Sequence, residues 1–490
     1  MPGFATRSRW HNVEKTERAD PLRTYRPDSP EQVAEIVRAA RDSGDTVRAA
    51  GSRHSWSDVA CASGFLIAPD RMRAPLDLEA ELLRRSPQGL VRVQAGMRIR
   101  ELNDHLAARG LGLANMGGYD GQTIAGVTST STHGSGRDCG PLHAALRSLD
   151  LVAGGGVLLR VEPAEGPTDP DRWVARHPEH RLVQDDETWA AAVVGLGCLG
   201  VICAVILEAV PAYRLRERRT ETTWEQERDR IPTALGEHAH YELLLSPYAD
   251  KSGHPCMVTT RDPYDGPLPP WWSSARRRNI VAETLSGLPG TGQALRLFAA
   301  LFPAAVPWAL RTTLHALADD AYIARSDRVF NIGVANHLPA TSMEIAVPVD
   351  DAGTHVAAVE RVLAVAARAR ASGRVYHTAP IALRFVAESP ALLSMMHGRP
   401  LSMTLELILL RGSYGGRELL AAYEDALRPL GGRPHWGQVN HLTEADVEAL
   451  YPASLARWRA VRDELDPDGT FGGRCAARLG LTRTATRTLA

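Results

Sequence analysis

Two polar, glycine-containing segments have side chains suited to binding a large phosphorylated ligand. The first is Ala49-Ala-Gly-Ser-Arg-His-Ser-Trp-Ser-Asp58, where a strand-like stretch runs into a polar turn with His54 at its apex. Such a turn can direct successive backbone N–H groups at a pyrophosphate. Because a loop histidine is also commonly a solvated surface residue, this turn indicates a binding site only together with other motifs.

The second segment, Gly121 to Gly136, concentrates uncharged hydrogen-bond donors. Its glycines allow another group to approach the backbone closely, and its hydroxyl groups suit a polar, planar ligand that carries phosphates. The six hydroxyl side chains are Thr123, Thr128, Ser129, Thr130, Ser131 and Thr132.

A third motif, Gly195-Leu-Gly-Cys-Leu-Gly200, satisfies the GxGxxG pattern but stands in the wrong order for a dinucleotide-binding fold. That fold places the motif after a strand and before a helix. Here a helix-like run (Asp185 to Val194) precedes the motif, and the β-branched segment Val201 to Leu207 follows it. A nicotinamide-dependent enzyme therefore remains only a second class of function, although this turn could still lie against a cofactor.

Composition excludes several other classes of function. The 490 residues carry 56 basic and 57 acidic groups, a net charge of −1, which argues against a chain that coats nucleic acid. With 44% hydrophobic residues, the chain can form two or three domains. Only Lys15 and Lys251 are lysines, and neither lies in a motif for a pyridoxal Schiff base, a P-loop or a lysine general base.

The cysteines also indicate what to expect. They include no CxxC pair, so the sequence predicts neither a disulfide scaffold nor a cysteine-rich zinc site, and we expect no metal. The first ten residues lack the apolar core of a secretory signal, and we expect a reducing compartment, the cytoplasm. The six cysteines are Cys61, Cys139, Cys198, Cys203, Cys256 and Cys475.

The elements that must position these motifs alternate between helix and strand in the first 210 residues. Ser29 as N-cap and Pro30 at the first helical position predict a helix, and Thr46 to Ala50 resembles a strand. Leu149 to Val152 and Val157 to Val161 predict a hairpin. Such alternation indicates a nucleotide-binding body of the α+β or α/β class.

Later elements indicate a second, sheet-containing domain over residues 211–430, followed by a segment of residues 431–490. Strand-like segments recur at Ser342 to Val349, Ile381 to Val386 and Ser402 to Leu410, and Val356 to Arg370 is helix-like. The apolar stretch Leu297 to Leu310 is only 14 residues long and contains two prolines, too short to span a bilayer. We expect a buried or interfacial helix there, without stable membrane insertion.

Together and in order, four motifs resemble the vanillyl-alcohol-oxidase-type (PCMH-type) flavoproteins, and within them the sugar-1,4-lactone oxidase and alditol oxidase branch. The resemblance implies an α+β fold, with a two-subdomain PCMH-type FAD-binding domain in residues 1–210. It also implies a substrate domain in residues 211–430, built on a large antiparallel sheet flanked by helices, and a C-terminal segment (431–490) that returns to the FAD domain. The motifs are Gly51 to Asp58, Gln122 to Gly134, Gly195 to Ile202 and Arg433-Pro-His-Trp-Gly437.

The resemblance further implies FAD held through a covalent bond from His54 to the flavin 8α-methyl carbon. No cysteine stands where some relatives add a second link, so a single link is expected. The positions that match FAD-contacting residues of the family are Ala49, Ala50, Gly51, Ser52, Arg53, His54, Ser55, Thr123, Thr128, Ser131, Thr132, His133, Gly134, Ile202 and His435.

On the substrate side the chain departs from that branch, which carries Glu-x-Arg on a strand and a lysine after His-Trp-Gly or His-Trp-Ala. Here the corresponding residues are Ala382-Leu-Arg384 and Gln438, so an acid and a base are both missing. Arg384 remains as the cation for a developing alkoxide. Glu406, on the next strand-like segment, is the hypothesised partner of Arg384, and Glu344 is a further candidate carboxylate.

The sequence therefore predicts an FAD-dependent enzyme that oxidises a CH–OH group of a polyhydroxylated or sugar-like small molecule by hydride transfer to flavin N5. Dioxygen, yielding hydrogen peroxide, or another acceptor would reoxidise the flavin. Because the usual acid and lysine are missing, a glycosylated or other secondary metabolite is an alternative substrate. A flavin-binding protein without turnover is a third hypothesis, and no nucleic-acid partner is expected.

Overall fold

The computed structural model describes residues 9–84, 86–268, 291–333 and 338–483. Its first unit is a three-stranded parallel sheet covered by the helix Pro30–Ser43, whose N-cap Ser29 accepts a hydrogen bond from the backbone N–H of Gln32. The apolar side of this helix packs on the strands, which places the turn after the last of them at the edge of the sheet. The strands lie in the order Arg23–Tyr25, Phe65–Ile67 and Val47–Ala49.

The second unit is a six-stranded sheet that holds the predicted hairpin. All neighbouring strands pair antiparallel except the first two in spatial order, which are parallel. Helices Ile99–Ala107 and Asp186–Ala192 cover its apolar face. The spatial order is Arg181–Gln184, Leu158–Glu162, Leu146–Val152, Val201–Glu208, Leu90–Gln94 and Pro75–Leu76.

The third unit is an eight-stranded, fully antiparallel sheet formed by residues after 213. Its last strand comes from the C-terminal segment, so the chain crosses this sheet again after residue 431. The spatial order is Asp319–Arg325, Arg214–Thr223, Pro255–Pro263, His240–Leu245, Ile381–Ala387, Leu401–Leu410, Ala340–Pro348 and Arg433–Pro434.

The two faces of the eight-stranded sheet differ sharply in chemistry. Successive residues of a strand point to opposite faces, so one set of alternate positions faces the helices Thr354–Ala371 and Gly416–Leu427. That set is apolar and includes the fully buried Phe385 and Leu405, each of which stabilises the fold by about 1.5–3 kcal/mol through burial. The opposite set carries charged side chains and faces the first two units, whose sheets we call the FAD-type sheets; its Glu344 contacts His133. We call this opposite surface the polar face.

The C-terminal segment joins the units. Helix Pro452–Leu465 packs against Asp186–Ala192, and the Val47 backbone N–H donates to the Thr470 carbonyl over 2.8 Å. The remaining described helices are Ile124–Ser129, Pro170–Arg176, Trp224–Glu227, Ile231–Glu237, Thr291–Leu301, Val306–Leu317, Ser326–Phe330, Glu444–Leu450 and Arg474–Arg478. Two short ladders, Trp10–His11 with Arg18–Ala19 and Leu111–Gly112 with Val210–Pro211, complete the described strands.

We expected one helix, buried or interfacial, over Leu297 to Leu310, and the structure shows that this stretch is neither continuous nor fully buried. The structure has two helices that bend by 107° around Phe302 and Pro303, because proline cannot continue the helical hydrogen-bond ladder. The large apolar side chains there are exposed: Leu301 by 63%, Phe302 by 59% and Trp308 by 65%. Among the described residues no single helix could span a membrane, and only this bent pair, taken jointly, has the required length and composition.

Candidate active site

The predicted cofactor turn lies against the C-terminal histidine motif. The Trp56 backbone N–H donates to the Gly437 carbonyl over 2.8 Å, and Ser57 Oγ donates to the Trp436 carbonyl over 2.6 Å. Two segments almost 380 residues apart in the sequence therefore form one wall. This contact places His435 between the FAD-type sheets and the polar face.

The turn itself has the geometry of an FAD cradle. Gly51 lies so close to Thr123 that a Cβ atom on it would be 2.2 Å from Thr123 Oγ1, so only glycine fits. Arg53 adopts φ +65°, a left-handed conformation that turns the chain sharply. A close-packed turn of backbone N–H groups beside a hydroxyl-rich helix start fits a pyrophosphate-bearing cofactor.

The side-chain hydroxyls of the hydroxyl-rich segment, Gly121 to Gly136, are of two kinds. Some form hydrogen bonds within the segment, and others reach residues of other segments. Thr128 Oγ1 donates to the Ile124 carbonyl over 2.9 Å, so this hydroxyl is bonded within its helix. Ser131, at φ +63°, shares a 2.9 Å hydrogen bond with Ser394. Thr123 caps the helix Ile124–Ser129. Thr132 reaches His435.

His435 is a neutral histidine with an assignable tautomer. Burial lowers its pKa to about 4. Its Nδ1 accepts a 3.0 Å hydrogen bond from the Gly437 backbone N–H, so the proton sits on Nε2, 3.3 Å from Thr132 Oγ1. The neighbouring contacts thus fix the ring orientation.

The polar face brings together three of the predicted catalytic residues. Arg384 Nη1 lies 3.0 Å from Glu406 Oε2 and 3.7 Å from Glu344 Oε1. Ala382 is the direct cross-strand partner of Glu406, and Glu406 in turn is the partner of Glu344. Glu406 therefore stands one strand away from the alanine that replaces the acid of the resembled branch.

Two further side chains, those of Gln438 and His133, contact Glu344. Gln438 Nε2 donates to Glu344 Oε2 over 3.3 Å, and His133 Nε2 lies 3.2 Å from Glu344 Oε1. His133 Nδ1 also donates to the Gly134 carbonyl over 2.8 Å. His133, which we expected to be an FAD contact, thus joins the hydroxyl-rich segment to the polar face.

The two glutamates have opposite pKa shifts. Burial raises the pKa of Glu344, but the charges of His133 and Arg384 lower it more, so this carboxyl stays ionised. Burial also raises the pKa of Glu406, and repulsion from Glu344 adds to it, which together outweigh the attraction of Arg384. Glu406 is therefore the carboxylate best able to accept a proton here. Burial lowers the pKa of His133, but the charge of Glu344 raises it more, so the pKa of His133 is raised.

A buried row of alternating charges, which sequence reasoning missed, extends from Arg384 across the sheet. Arg384 Nε lies 3.7 Å from Glu242 Oε1, which is 2.7 Å from Arg261 Nη1, and Arg261 Nε donates to Glu217 over 2.7 Å. Charged residues alternating with apolar ones in these strands were the available signal. Strand order, not sequence distance, brings them together. The row holds the Arg384 guanidinium in place. Burial lowers the pKa of Arg384, but the charges of Glu406, Glu242 and Glu344 raise it more.

Several polar atoms on this face are buried without a hydrogen-bond partner among the described residues. They are Ser342 Oγ, Thr404 Oγ1 and Gln438 Oε1. A buried polar atom without a partner costs free energy, so these atoms indicate space for a polar ligand. Hydroxyl groups of a substrate fit that requirement.

The remaining predicted contacts lie around the turn. Ile202 is half-buried in the six-stranded sheet, beside a bulge between its own position and Ala204. Gly134 leaves no room for a side chain, because a Cβ atom would lie 2.1 Å from Asn115 Oδ1. The GxGxxG motif lies between a helix and a strand, as predicted, and its Leu196 and Gly197 carbonyls accept hydrogen bonds from Arg48.

Comparison with known families agrees with this arrangement. A family model described as D-arabinono-1,4-lactone oxidase matches residues 205–479, and one described as FAD binding domain matches residues 21–162. The chain belongs to the D-arabinono-1,4-lactone oxidase family. This confirms the resemblance found from the motifs, and the chain is an FAD-dependent oxidoreductase of the CH–OH class.

Relatives match over nearly the whole chain. An L-gulono-1,4-lactone dehydrogenase of Mycobacterium tuberculosis is 31% identical over 466 residues, 94% of this chain and 96% of that protein. The L-gulonolactone oxidase of Bos taurus is 26% identical with the same coverage. Among solved structures, a solvent-stable cholesterol oxidase at 18% identity covers 98% of both chains with a TM-score of 0.77, and it confirms the fold.

Proposed function

We propose that this family member oxidises a secondary alcohol of a sugar lactone or a related polyhydroxylated small molecule, using FAD bound covalently through His54 and dioxygen as acceptor. The observation that carries the proposal is the Arg384–Glu406 pair, with its 3.0 Å contact, on the buried polar face beside the cofactor turn. The names of relatives, which are lactone oxidases and dehydrogenases, support the substrate class.

The cofactor residues have separate tasks. The turn Ala49 to Ser55, with Thr123 beside it, would hold the pyrophosphate, and His435 would lie beside the isoalloxazine ring. Bound FAD supplies an acceptor for hydride at N5. The chain must bring the carbinol carbon to that atom.

Arg384 has the charge for the alkoxide oxygen. Its pKa is raised, so its charge is constant. The row of Glu242, Arg261 and Glu217 restrains the guanidinium in a position that is largely shielded from water. A preorganised cation of this kind stabilises negative charge better than water does, because it needs no reorganisation.

Glu406 has the pKa shift of a general base. Since its pKa is raised, it is more basic than an ordinary glutamate and can take the hydroxyl proton as the C–H bond breaks. Because Glu406 lies 3.0 Å from Arg384, the proton acceptor and the cation would act on the same substrate oxygen. Ser342 and Thr404 would bind the other substrate hydroxyls.

Gln438 and Ala382 distinguish this site from that of the resembled branch. The lysine and acid of that branch would place one charge each at these positions, whereas an amide and a methyl group stand here. The change leaves the site neutral at two points of contact.

An anaerobic substrate panel tests the proposal. The purified protein is mixed without oxygen with aldono-1,4-lactones, alditols, free sugars and glycosylated metabolites, and flavin absorbance near its long-wavelength maximum is followed. We expect bleaching by at least one polyhydroxylated compound, followed by recovery and hydrogen peroxide when air is admitted. A yellow protein that none of these compounds bleaches would contradict the proposal and favour flavin binding without turnover.

A further inference from the structure

Tyr119 contacts His54, and the proposed hydride chemistry gives this contact no role. Its hydroxyl lies 3.1 Å from His54 Nε2, and the two rings meet edge to face with centroids 4.6 Å apart. Among the described residues, none forms a hydrogen bond with His54 Nδ1. One imidazole nitrogen therefore has a fixed partner and the other is available.

The surroundings of His54 keep its imidazole neutral. Burial lowers the pKa of His54 to about 4, and the charges of Arg98, Arg53 and Arg100 add to this effect. A neutral imidazole has a lone pair with which it can act as a nucleophile, whereas an imidazolium has none. The ring is therefore poised to form a bond from whichever nitrogen lacks the proton.

The backbone holds the Tyr119 hydroxyl in place. The Arg100 N–H donates to the Asp120 carbonyl over 2.9 Å, and the Ile332 N–H donates to the Gly118 carbonyl over 2.9 Å, so hydrogen bonds flank Tyr119 on both sides. Gly121 leaves room for the hydroxyl, because a Cβ atom there would lie 2.2 Å from it. The close approach of Gly121 is thus explained by Tyr119.

We propose that Tyr119 is a positioning residue for covalent attachment of the flavin: its oxygen accepts the Nε2–H of His54 and leaves the Nδ1 lone pair free to react with the flavin methyl group. This inference rests on the proposed covalent link. Tyr119 acts through His54, and it contributes to formation of the bond rather than to binding of FAD.

The attachment step balances with dioxygen as oxidant. A bond forms between Nδ1 and the 8α carbon, while one C–H of that methyl group and the imidazole N–H break. The two electrons pass through the flavin to dioxygen, and the two protons complete hydrogen peroxide. The Nε2 proton leaves through the Tyr119 hydroxyl, which accepts it while donating its own proton to solvent.

The test follows the rate of attachment in the full-length apoprotein after FAD is added, measured as flavin that stays with the acid-precipitated protein. We expect Tyr119→Phe to attach flavin about tenfold more slowly than wild type, as loss of one aligned hydrogen bond implies. Tyr264→Phe is the matched control, since it removes a tyrosine hydroxyl whose bond goes to the Pro267 carbonyl. This control should attach flavin at the wild-type rate.

A second variant and a binding measurement separate positioning from folding. Gly121→Ala should displace the Tyr119 hydroxyl and slow attachment as well. In the His54→Ala background, Tyr119→Phe should leave the dissociation constant of FAD unchanged, which a merely structural role would alter.

The outcomes distinguish the two levels of the hypothesis. Wild-type protein that releases all of its flavin in acid would overturn the covalent link in the proposed function. Covalent wild-type protein, with Tyr119→Phe or Gly121→Ala attaching flavin at the wild-type rate, would overturn the role of Tyr119 alone. If Tyr119→Phe weakened FAD binding in the His54→Ala background, the proposed role of Tyr119 in attachment would also be overturned.

Discussion

At Glu406, burial and the Arg384 charge act on the pKa in opposite directions, and burial together with Glu344 prevails. Glu344, one strand away, has the reverse outcome because His133 adds a second cation. Two buried carboxyl groups facing one arginine thus have different protonation preferences. The environment therefore makes Glu406 the stronger proton acceptor of the two and favours the ionised form of Glu344.

Glu406→Gln tests the general base at the scale of one residue. The amide keeps the size of the side chain but cannot accept the proton, so we expect flavin reduction to slow by about 10²–10⁴-fold while flavin content stays unchanged. Stopped-flow reduction without oxygen measures this. The exposed Glu418→Gln is the matched control and should reduce its flavin at the wild-type rate.

The same variant has a pH signature. Because the Glu406 pKa is raised, the wild-type reduction rate should fall as pH decreases through a value above the ordinary glutamate pKa. Glu406→Gln should lose this acid limb. A mutant that reduces flavin normally, with the limb intact, would exclude Glu406 as the base.

Single-residue patterns predicted part of the site. The strand-like segment Ser402 to Leu410 indicated Glu406 as the partner of Arg384, and the structure confirms that the two side chains contact each other. Glu242, Arg261 and Tyr119 were missed, because their contacts depend on strand order and on loop placement. No pattern within one segment contains that information.

At the scale of elements, the six-stranded sheet contains a buried ion pair that stabilises the fold away from the active site. Asp150 accepts hydrogen bonds from Arg160 over 2.7 and 3.0 Å and from Arg92 over 2.7 Å. Arg160 is fully buried and stacks 3.9 Å from the Trp173 ring. The pKa of Asp150 is about 2, since the arginine charges outweigh the effect of burial.

Asp150→Asn should destabilise this sheet by about 3–5 kcal/mol, because it leaves the buried Arg160 without its carboxylate, whereas Arg92 keeps Glu79. Guanidinium denaturation at pH 7 measures the loss. The exposed Asp42→Asn, which removes a carboxylate paired with Arg41, is the control and should cost less than about 1 kcal/mol.

The pH dependence gives this prediction a sign. The folded pKa of Asp150, about 2, lies below the ordinary value of 3.8, so the stabilisation is complete above pH 4 and is lost as pH falls towards 2. The difference between wild type and Asp150→Asn should shrink in that window. A difference that is equally large at pH 2 and pH 7 would contradict the electrostatic explanation.

Elements were predicted best where local signals were strong. The Ser29 cap, the hairpin and the helix–turn–strand order around Gly195 all follow from local residue types, and the structure confirms them. The stretch Leu297 to Leu310 was predicted as one buried or interfacial helix because it is apolar. Its exposure depends on which surface the rest of the fold offers to it, which apolar composition cannot show.

At the scale of the molecule, the candidate active site lies where three sheets and the C-terminal segment meet. The FAD-type units supply the turn and the hydroxyl-rich segment, the eight-stranded sheet supplies the polar face, and the last sixty residues supply His435 and Gln438. The motif order indicated this assembly through family resemblance. The geometry of the site could not be predicted from the motifs, because the contacting residues are hundreds of positions apart and only the fold brings them together.

Anaerobic flavin reduction by Arg384→Met tests most directly the claim that the polar face presents the substrate alcohol to the flavin. With the best substrate of the panel, we predict a rate at least about 10²-fold below wild type, because the preorganised cation is lost. Arg384→Lys, which retains the charge, should keep more activity, and the exposed Arg411→Met should match wild type. Wild-type reduction rates in an Arg384→Met protein with full flavin content would contradict the claim.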